Sequence, residues 1–376
     1  MNKKLVELDS LRALMAFAVF ISHIQFLSAA EIWSFSLGGM AVTVFIMLSG
    51  FAITKSLLGS DASYGQYLAR RFWRIYPVYL VGLLLGVCVS WNTPALLQEL
   101  GWVHPPSVAR IAERTLGEHE HFLAHLLAHL ALVHGAIPDA LLYGAGLTFN
   151  SPAWSLSLEW QFYVVAPALL LAVRWGSRLA WPARIVAIVV GCAALAAMRI
   201  GFGPAFPQVP SFLPIQLAFF LVGILTAIHL DWLAAARSRL LAYALGLVLL
   251  GLVLGGLTNV LAMAIWALTL VASAHTAPRV LQPVRKLLSM PLLALAGEAS
   301  YSFYIVHEPV ILAIAAPIKR AWPHPSHHGF ELVLFVASFV PVCVLSWLMF
   351  RYIETPINRW AKTRFRGTPL QAAAVA

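Results

Sequence analysis

The stretch LDSLRALMAFAVFISHIQF, residues 8–26, decides the fold. It is apolar and long enough to cross a bilayer as a helix, which takes about 20 residues. It also carries Arg12 and His23. A charge near the bilayer centre costs roughly 3 kcal/mol, so an ionisable group there is a candidate functional residue. The two lie eleven positions apart, about three helical turns or about 16 Å, and return to nearly the same face. One stripe of the first helix thus carries a cation near one end and an imidazole deeper in. Two readings follow: both line one passage, or Arg12 snorkels to headgroups while His23 bonds a neighbouring helix.

The rest of the chain supports a membrane setting. Of 376 residues, 61% are hydrophobic and 11% charged, against roughly 25% charged in a soluble domain. No large soluble domain is left over. Ten candidate spans appear, at 8–28, 37–57, 75–92, 155–173, 185–201, 212–229, 240–256, 258–274, 291–316 and 331–350. The expected fold is an all-α polytopic bundle of about ten transmembrane helices around a central pore.

The basic residues give the orientation, because cytoplasmic loops collect Lys and Arg. With Met1 inside, one side holds Lys3, Lys4, Lys55, Arg70, Arg71, Arg74, Arg174, Arg178, Arg184, Arg237, Arg239, Arg279, Arg285, Lys286, Arg351, Arg359, Lys362, Arg364 and Arg366. The other holds Arg110, Arg114, Arg199, Lys319 and Arg320. Both termini are therefore expected in the cytoplasm. The net charge of +10 is accounted for by topology, without a nucleic-acid partner. A cleaved signal peptide ending near SAA (28–30) is the competing reading of the start, but a signal core rarely holds an arginine and a histidine. Residues 1–360 form one membrane-embedded unit, with 93–153 a long extracytoplasmic or re-entrant segment and 361–376 a short cytoplasmic tail.

Cys88, Cys192 and Cys343 lie in apolar runs without metal or redox spacing and read as core packing. His121, His125 and His129 recur at four-residue steps and would share a helix face. A metal site is one reading. A short apolar helix lying on or dipping into the membrane is the favoured one, since no Asp, Glu or Cys joins them at ligand spacing. No metal is expected.

Other polar residues fall inside the apolar runs. SPAWSLSLEWQFY (151–163) carries Glu159 about a turn below Trp154, with Ser155 and Ser157 between. A carboxylate at that depth needs a partner, and His23 lies at a compatible one. Such a carboxylate would make the far ring nitrogen a better base. EASYSFYIVHEPV (298–310) places His307, Glu308 and Pro309 inside the ninth span. MLSGFAI (47–53) supplies Ser49 and Gly50 for close helix approach. YLARRFWRIYP (67–77) clusters Arg70, Arg71 and Arg74 at the start of the third helix. Arginine suits bidentate phosphate contacts; the alternative is topology-setting charge near anionic lipid.

Taken together, Arg12 to His23, SGF (49–51), ARRFWRIYP (69–77), WSLSLEWQFY (154–163), ASYSFYIVHEP (299–309) and RYIETP (351–356) resemble the acyltransferase-3 family of membrane O-acyltransferases, from residue 8 to about 360. The resemblance implies a bacterial inner-membrane enzyme of ten helices. Such an enzyme moves an acyl group, usually acetyl, from cytoplasmic acyl-CoA to a hydroxyl of a cell-surface carbohydrate, with lipopolysaccharide O-antigen ranked first. It implies that Arg12 and His23 are the essential pair, that Arg70, Arg71 and Arg74 engage the phosphates of acetyl-CoA, and that Glu159 and His307 match family positions. Some members carry an added extracytoplasmic esterase-like domain; none is expected here. The expected mechanism has His23 as general base, Glu159 orienting its ring, and Ser49, Trp154 and His307 on the acceptor side, with Trp160 also available to stack on a sugar. The resemblance implies a carbohydrate acceptor, free or lipid-linked. Two other classes fit the polar residues on physics alone: a transporter of an anionic or acyl-linked solute, and a non-enzymatic scaffold for envelope assembly. The sequence leaves open the acceptor, the acyl length, a ternary complex against an acyl-enzyme, and the oligomeric state.

Overall fold

The computed structural model describes residues 6–28 and 31–366, apart from the side chains of residues 31–36. Lys3, Lys4, the Ala29–Ala30 pair and the tail from residue 367 lie outside the described residues. Every element among those described is helical. The helices are α1 Val6–Leu27, α2 Glu31–Leu58, α3 Tyr64–Ser90, α4 Thr93–Leu100, α5 Pro105–Glu120, α6 Phe122–Leu130, α7 Trp154–Gly176, α8 Trp181–Phe202, α9 Leu213–Ala234, α10 Arg237–Leu254, α11 Leu257–Ser273, α12 Gln282–Leu288, α13 Pro291–Glu298, α14 Ser300–Ala321, α15 His327–Met349 and α16 Thr355–Arg364. Nine helical stretches among the described residues are long and apolar enough to cross a membrane. The expected span at 258–274 is α11, whose 17 residues sit at the short limit for crossing.

Local signals set the boundaries. Ser63 caps α3 through a capping box, with Gln66 N donating to Ser63 Oγ and Ser63 N donating to Gln66 Oε1. This starts α3 at Tyr64, eleven residues before the expected 75, so Arg70, Arg71 and Arg74 lie within the helix. The expected span 291–316 is divided at Ala299 into α13 and α14. Gly297 lets the end of α13 pack directly on α1, because a Cβ there would strike the backbone oxygen of Asp9. After α15 a π-helical turn, Phe350–Glu354, leads straight into α16, and helix continues to Arg364. The boundary expected at 361 therefore falls inside α16.

The core is built from α1, α2, α3, α7, α9, α11 and α14. Trp266, Tyr79, Tyr163, Phe20, Phe162, Phe219 and Phe220 are among its largest fully buried side chains. Helices α2 and α9 approach closely, because a Cβ on Gly50 would meet Phe220 O and one on Gly223 would meet Met47 O. Helix α8 contributes no buried residue. Apolar side chains on such peripheral helices face the medium around the protein. This corrects the reading of the cysteines as core: Cys88 and Cys192 are exposed and Cys343 is half-buried. In a membrane-type bundle an apolar run marks contact with lipid as readily as contact with core.

The segment 93–153 folds into α4, α5, α6 and three short 3-10 turns. The histidine stripe does not survive as one face. His121 is exposed and caps the junction of α5 and α6, while His125 and His129 are buried, and His129 meets buried His134. The rings of His129 and His134 stack at 3.9 Å, and Tyr79 OH lies 3.0 Å from His129 Nδ1. Among the described residues no group of three or more His, Cys, Asp or Glu is placed to hold a metal ion.

Candidate active site

Two cavities, each holding several charged side chains, lie at opposite ends of α1. The inner one, about 180 Å³, is lined by Arg12, Ser49, Arg71, Arg74, Glu159, Tyr163 and Glu298 among others. The outer one, about 930 Å³, is lined by His23, Arg114, Glu118, Trp154, Arg199, Gln216 and Glu308 among others. Val42 and Tyr304 line both, so they form the wall between the two. Tyr304 is fixed there: its hydroxyl lies 2.9 Å from Ser155 Oγ and donates to Pro152 O at 3.1 Å, and its ring packs on Phe45.

Arg12 and His23 therefore share a helix stripe and open onto different chambers. Their side chains remain 27% and 25% exposed, so neither is sealed against neighbouring helices. Arg12 is ion-paired to Asp9 Oδ1 at 2.7 Å, a partner on the same helix that the sequence reading did not single out.

His23 is served by Glu308, not by Glu159. Glu308 Oε1 lies 3.5 Å from His23 Nδ1. Its other oxygen accepts from Ser151 N at 2.6 Å, at the start of the turn that leads into α7. This corrects the expected pairing. Glu159 lies five residues below Trp154, about 7.5 Å along α7. That drop carries it past Tyr304 into the inner cavity, where Ser49 Oγ and Tyr163 OH donate to Glu159 Oε1 at 2.8 and 2.6 Å. Ser49 accordingly faces the inner cavity too, away from the expected acceptor side. The signal for Glu308 was present in VHEP (306–309), where Glu308 follows His307 directly.

His307 is fully buried behind His23, with ring centroids 4.8 Å apart. It lies 2.6 Å from Tyr304 O through Nδ1, and its Nε2 has no partner. It supports the ring of His23 without lining the outer cavity. Trp154 lines that cavity. Trp160 packs instead on Phe72 and Tyr163.

The basic block divides as well. Arg71 and Arg74 line the inner cavity, whereas Arg70 donates to Ser60 Oγ at 3.0 Å in the adjoining turn. Arg71 donates to Ser56 Oγ and lies over the rings of Tyr67 and Tyr163, and its buried Nε has no partner. A buried guanidinium nitrogen without an acceptor fits an anionic ligand. Glu354, in the RYIETP segment, is buried, accepts from Ser302 Oγ at 2.8 Å, and supplies the strongest opposite charge acting on Arg74.

Arg114 and Glu118 of α5 were not expected at the site. Glu118 accepts from Ser90 Oγ at 2.7 Å and from Phe149 N at 3.4 Å. Burial pushes the Arg114 guanidinium down from its ordinary value, opposed by Glu308 and Glu118. No spacing pattern marks these two residues, because α5 reaches the site only through the fold of the segment 93–153.

A multi-pass helical bundle holding a basic inner cavity and a histidine–carboxylate outer cavity, parted by a thin wall, suits transfer of a group from one side to the other. Residues 5–351 match the family described as Acyltransferase domain, and the chain belongs to that acyltransferase-3 family. It is 29% identical to "Acyltransferase MdmB" of Streptomyces mycarofaciens over 95% of this chain and 92% of that one. It is 25% identical to "Peptidoglycan O-acetyltransferase OatA" of Listeria monocytogenes over 95% of this chain. There it spans about half of the relative, 56% of its length. No solved structure matches the chain.

Proposed function

We propose that the protein is a membrane O-acyltransferase that moves an acetyl group from cytoplasmic acetyl-CoA to a hydroxyl of a cell-surface carbohydrate. The observation that carries this reading is the pair of cavities sharing Val42 and Tyr304, with Arg71 and Arg74 on one side and His23 with Glu308 on the other. At about 180 Å³ the inner cavity is too small for a nucleotide and admits a slender chain. The CoA phosphates would lie toward Arg70 and the mouth of the cavity, on Arg71, Arg74 and Arg12, with the pantetheine arm directed at the wall. This arrangement needs the inner cavity to face the cytoplasm, as the distribution of Lys and Arg indicates, with both termini on that side of a bacterial inner membrane.

With Nδ1–H directed to Glu308, His23 presents Nε2 as the base. It takes the proton of the acceptor hydroxyl, whose oxygen attacks the thioester carbonyl. The carbon–sulfur bond breaks, and the imidazolium returns the proton to the leaving thiolate. Glu308 holds the ring and stabilises its charged form. Glu159, bonded to Ser49 and Tyr163, instead shapes the donor side and balances its arginines. The acceptor of the named Listeria relative is peptidoglycan, which favours a glycan of that kind over the lipopolysaccharide O-antigen expected from the sequence.

The test is purified protein in proteoliposomes with labelled acetyl-CoA, following CoA release and label in carbohydrate. His23→Ala and Arg12→Ala should each abolish transfer while the fold persists. Wild-type rates in both variants would overturn the assignment, and solute flux without CoA release would favour transport.

A further inference from the structure

Two polar groups in the outer cavity are left without partners, and both sit where the α8–α9 hairpin closes. Gln216 of α9 is 94% buried by its 6% exposure, lines the cavity, and has an Oε1 with no hydrogen bond. Arg199, in the last turn of α8, lines the same cavity, and its buried Nη1 also has no partner. Helix α8 otherwise presents apolar residues outward and buries none. An arginine free to snorkel would keep its terminal nitrogens in water; this Nη1 is held inside the protein instead. The connecting loop is pinned to α7, because Gln161 Nε2 donates to Ser211 O and Leu213 N donates to Gln161 Oε1, both at 3.0 Å. The carboxylates that line this cavity are engaged elsewhere: Asp139 with Gln208 Nε2, Glu118 with Ser90, and Glu308 with Ser151 N and His23. The cavity is thus left with an unmatched guanidinium donor and an unmatched amide acceptor in its lining.

We propose that Arg199 and Gln216 form an acceptor-anchoring subsite for an acidic saccharide. The anionic oxygens, of a sugar carboxylate or a sugar phosphate, lie on Arg199, and a hydroxyl or acetamido N–H of the same saccharide donates to Gln216 Oε1. Charge-assisted contact with arginine suits both anions. The proposal rests on the outer cavity being the acceptor side, and it narrows that acceptor to a charged class.

Binding to the full chain in lipid nanodiscs tests it. Three probes are titrated by calorimetry: the disaccharide N-acetylglucosaminyl-N-acetylmuramic acid with its free carboxylate, N-acetylglucosamine 1-phosphate, and neutral chitobiose. The wild type should bind at least one charged probe tenfold or more tighter than chitobiose, and the better of the two identifies the anion. Arg199→Ala should erase that preference, Arg199→Lys should keep part of it, and Gln216→Glu should weaken the charged probes selectively. Equal binding of charged and neutral probes, binding of none, or an unchanged preference in Arg199→Ala overturns the subsite. Acetyl transfer is scored separately on the wild type. Transfer without charge preference would sink this inference alone, and charge-selective binding without any transfer would sink the enzymatic reading alone.

Discussion

In the proposed mechanism Glu308 and Glu159 divide the work that one carboxylate was expected to do, and the division is measurable. Glu308 touches His23 and Ser151 N, so Glu308→Gln should lower kcat by roughly 100-fold, the low end of what acid–base assistance contributes. KM for acetyl-CoA should stay within about twofold, because the proposed donor contacts lie beyond Tyr304. A loss expressed in KM would move Glu308 to the donor side. Arg71 makes the opposite case. Its unpartnered Nε and its place in the inner cavity predict that Arg71→Ala raises KM for acetyl-CoA by about tenfold or more, the loss of one charged hydrogen bond of roughly 1.5–3 kcal/mol. An unchanged KM would return Arg71 to setting topology. Arg12 and His23 were legible in the sequence, because an ionisable group in an apolar span stands out. Arg114 and Glu118 were not, because polar residues in the polar helix α5 carry no such contrast, and Gln216 was not, because a single uncharged amide at the start of an apolar span draws little.

At the level of the element, glycines and histidines set what the helices tolerate. Gly50 and Gly223 let α2 and α9 meet backbone to backbone, so Gly223→Ala should cost roughly 1–3 kcal/mol of stability through overpacking. Thermal unfolding in detergent reads this, and an unchanged midpoint would show that the helices part without cost. The SGF motif announced Gly50 but not its partner, since α9 offers no motif of its own. The outer layer around α6 carries a pH dependence. Burial pushes His125 and His134 down to about 4, and His129 well below its ordinary value with His134 adding to the effect. The folded layer therefore keeps neutral rings where the unfolded chain takes up protons near an ordinary value of about 6.5. Stability is complete above about 6.5 and falls as the pH drops towards about 4. Amide exchange over residues 122–136, corrected for its intrinsic rate, should show lower protection at pH 5 than at pH 7. Equal protection would mean that the buried rings are already charged.

For the whole molecule, the helical class and most span positions followed from composition and run length, but the division of the ninth span and the extended start of α3 did not. The start of α3 follows from the local cap at Ser63, and the division of the ninth span goes with the close packing of Gly297 on Asp9; run length encodes neither. Orientation is the property on which the proposed chemistry depends most, because acyl-CoA is a cytoplasmic solute. If the inner cavity faces the cytoplasm, the segment holding α5 lies outside and the connection holding α12 lies inside. Exposed Glu120 and exposed Lys286 report on the two faces. In a background with Cys88, Cys192 and Cys343 replaced, Glu120→Cys should react with an impermeant maleimide on intact cells, and Lys286→Cys only after permeabilisation. The reverse pattern would put Arg71 and Arg74 outside, where no acyl-CoA could reach them. The two cavities would then have to exchange roles, with the His23–Glu308 pair open to the cytoplasm and the arginines meeting an anionic partner from the exterior.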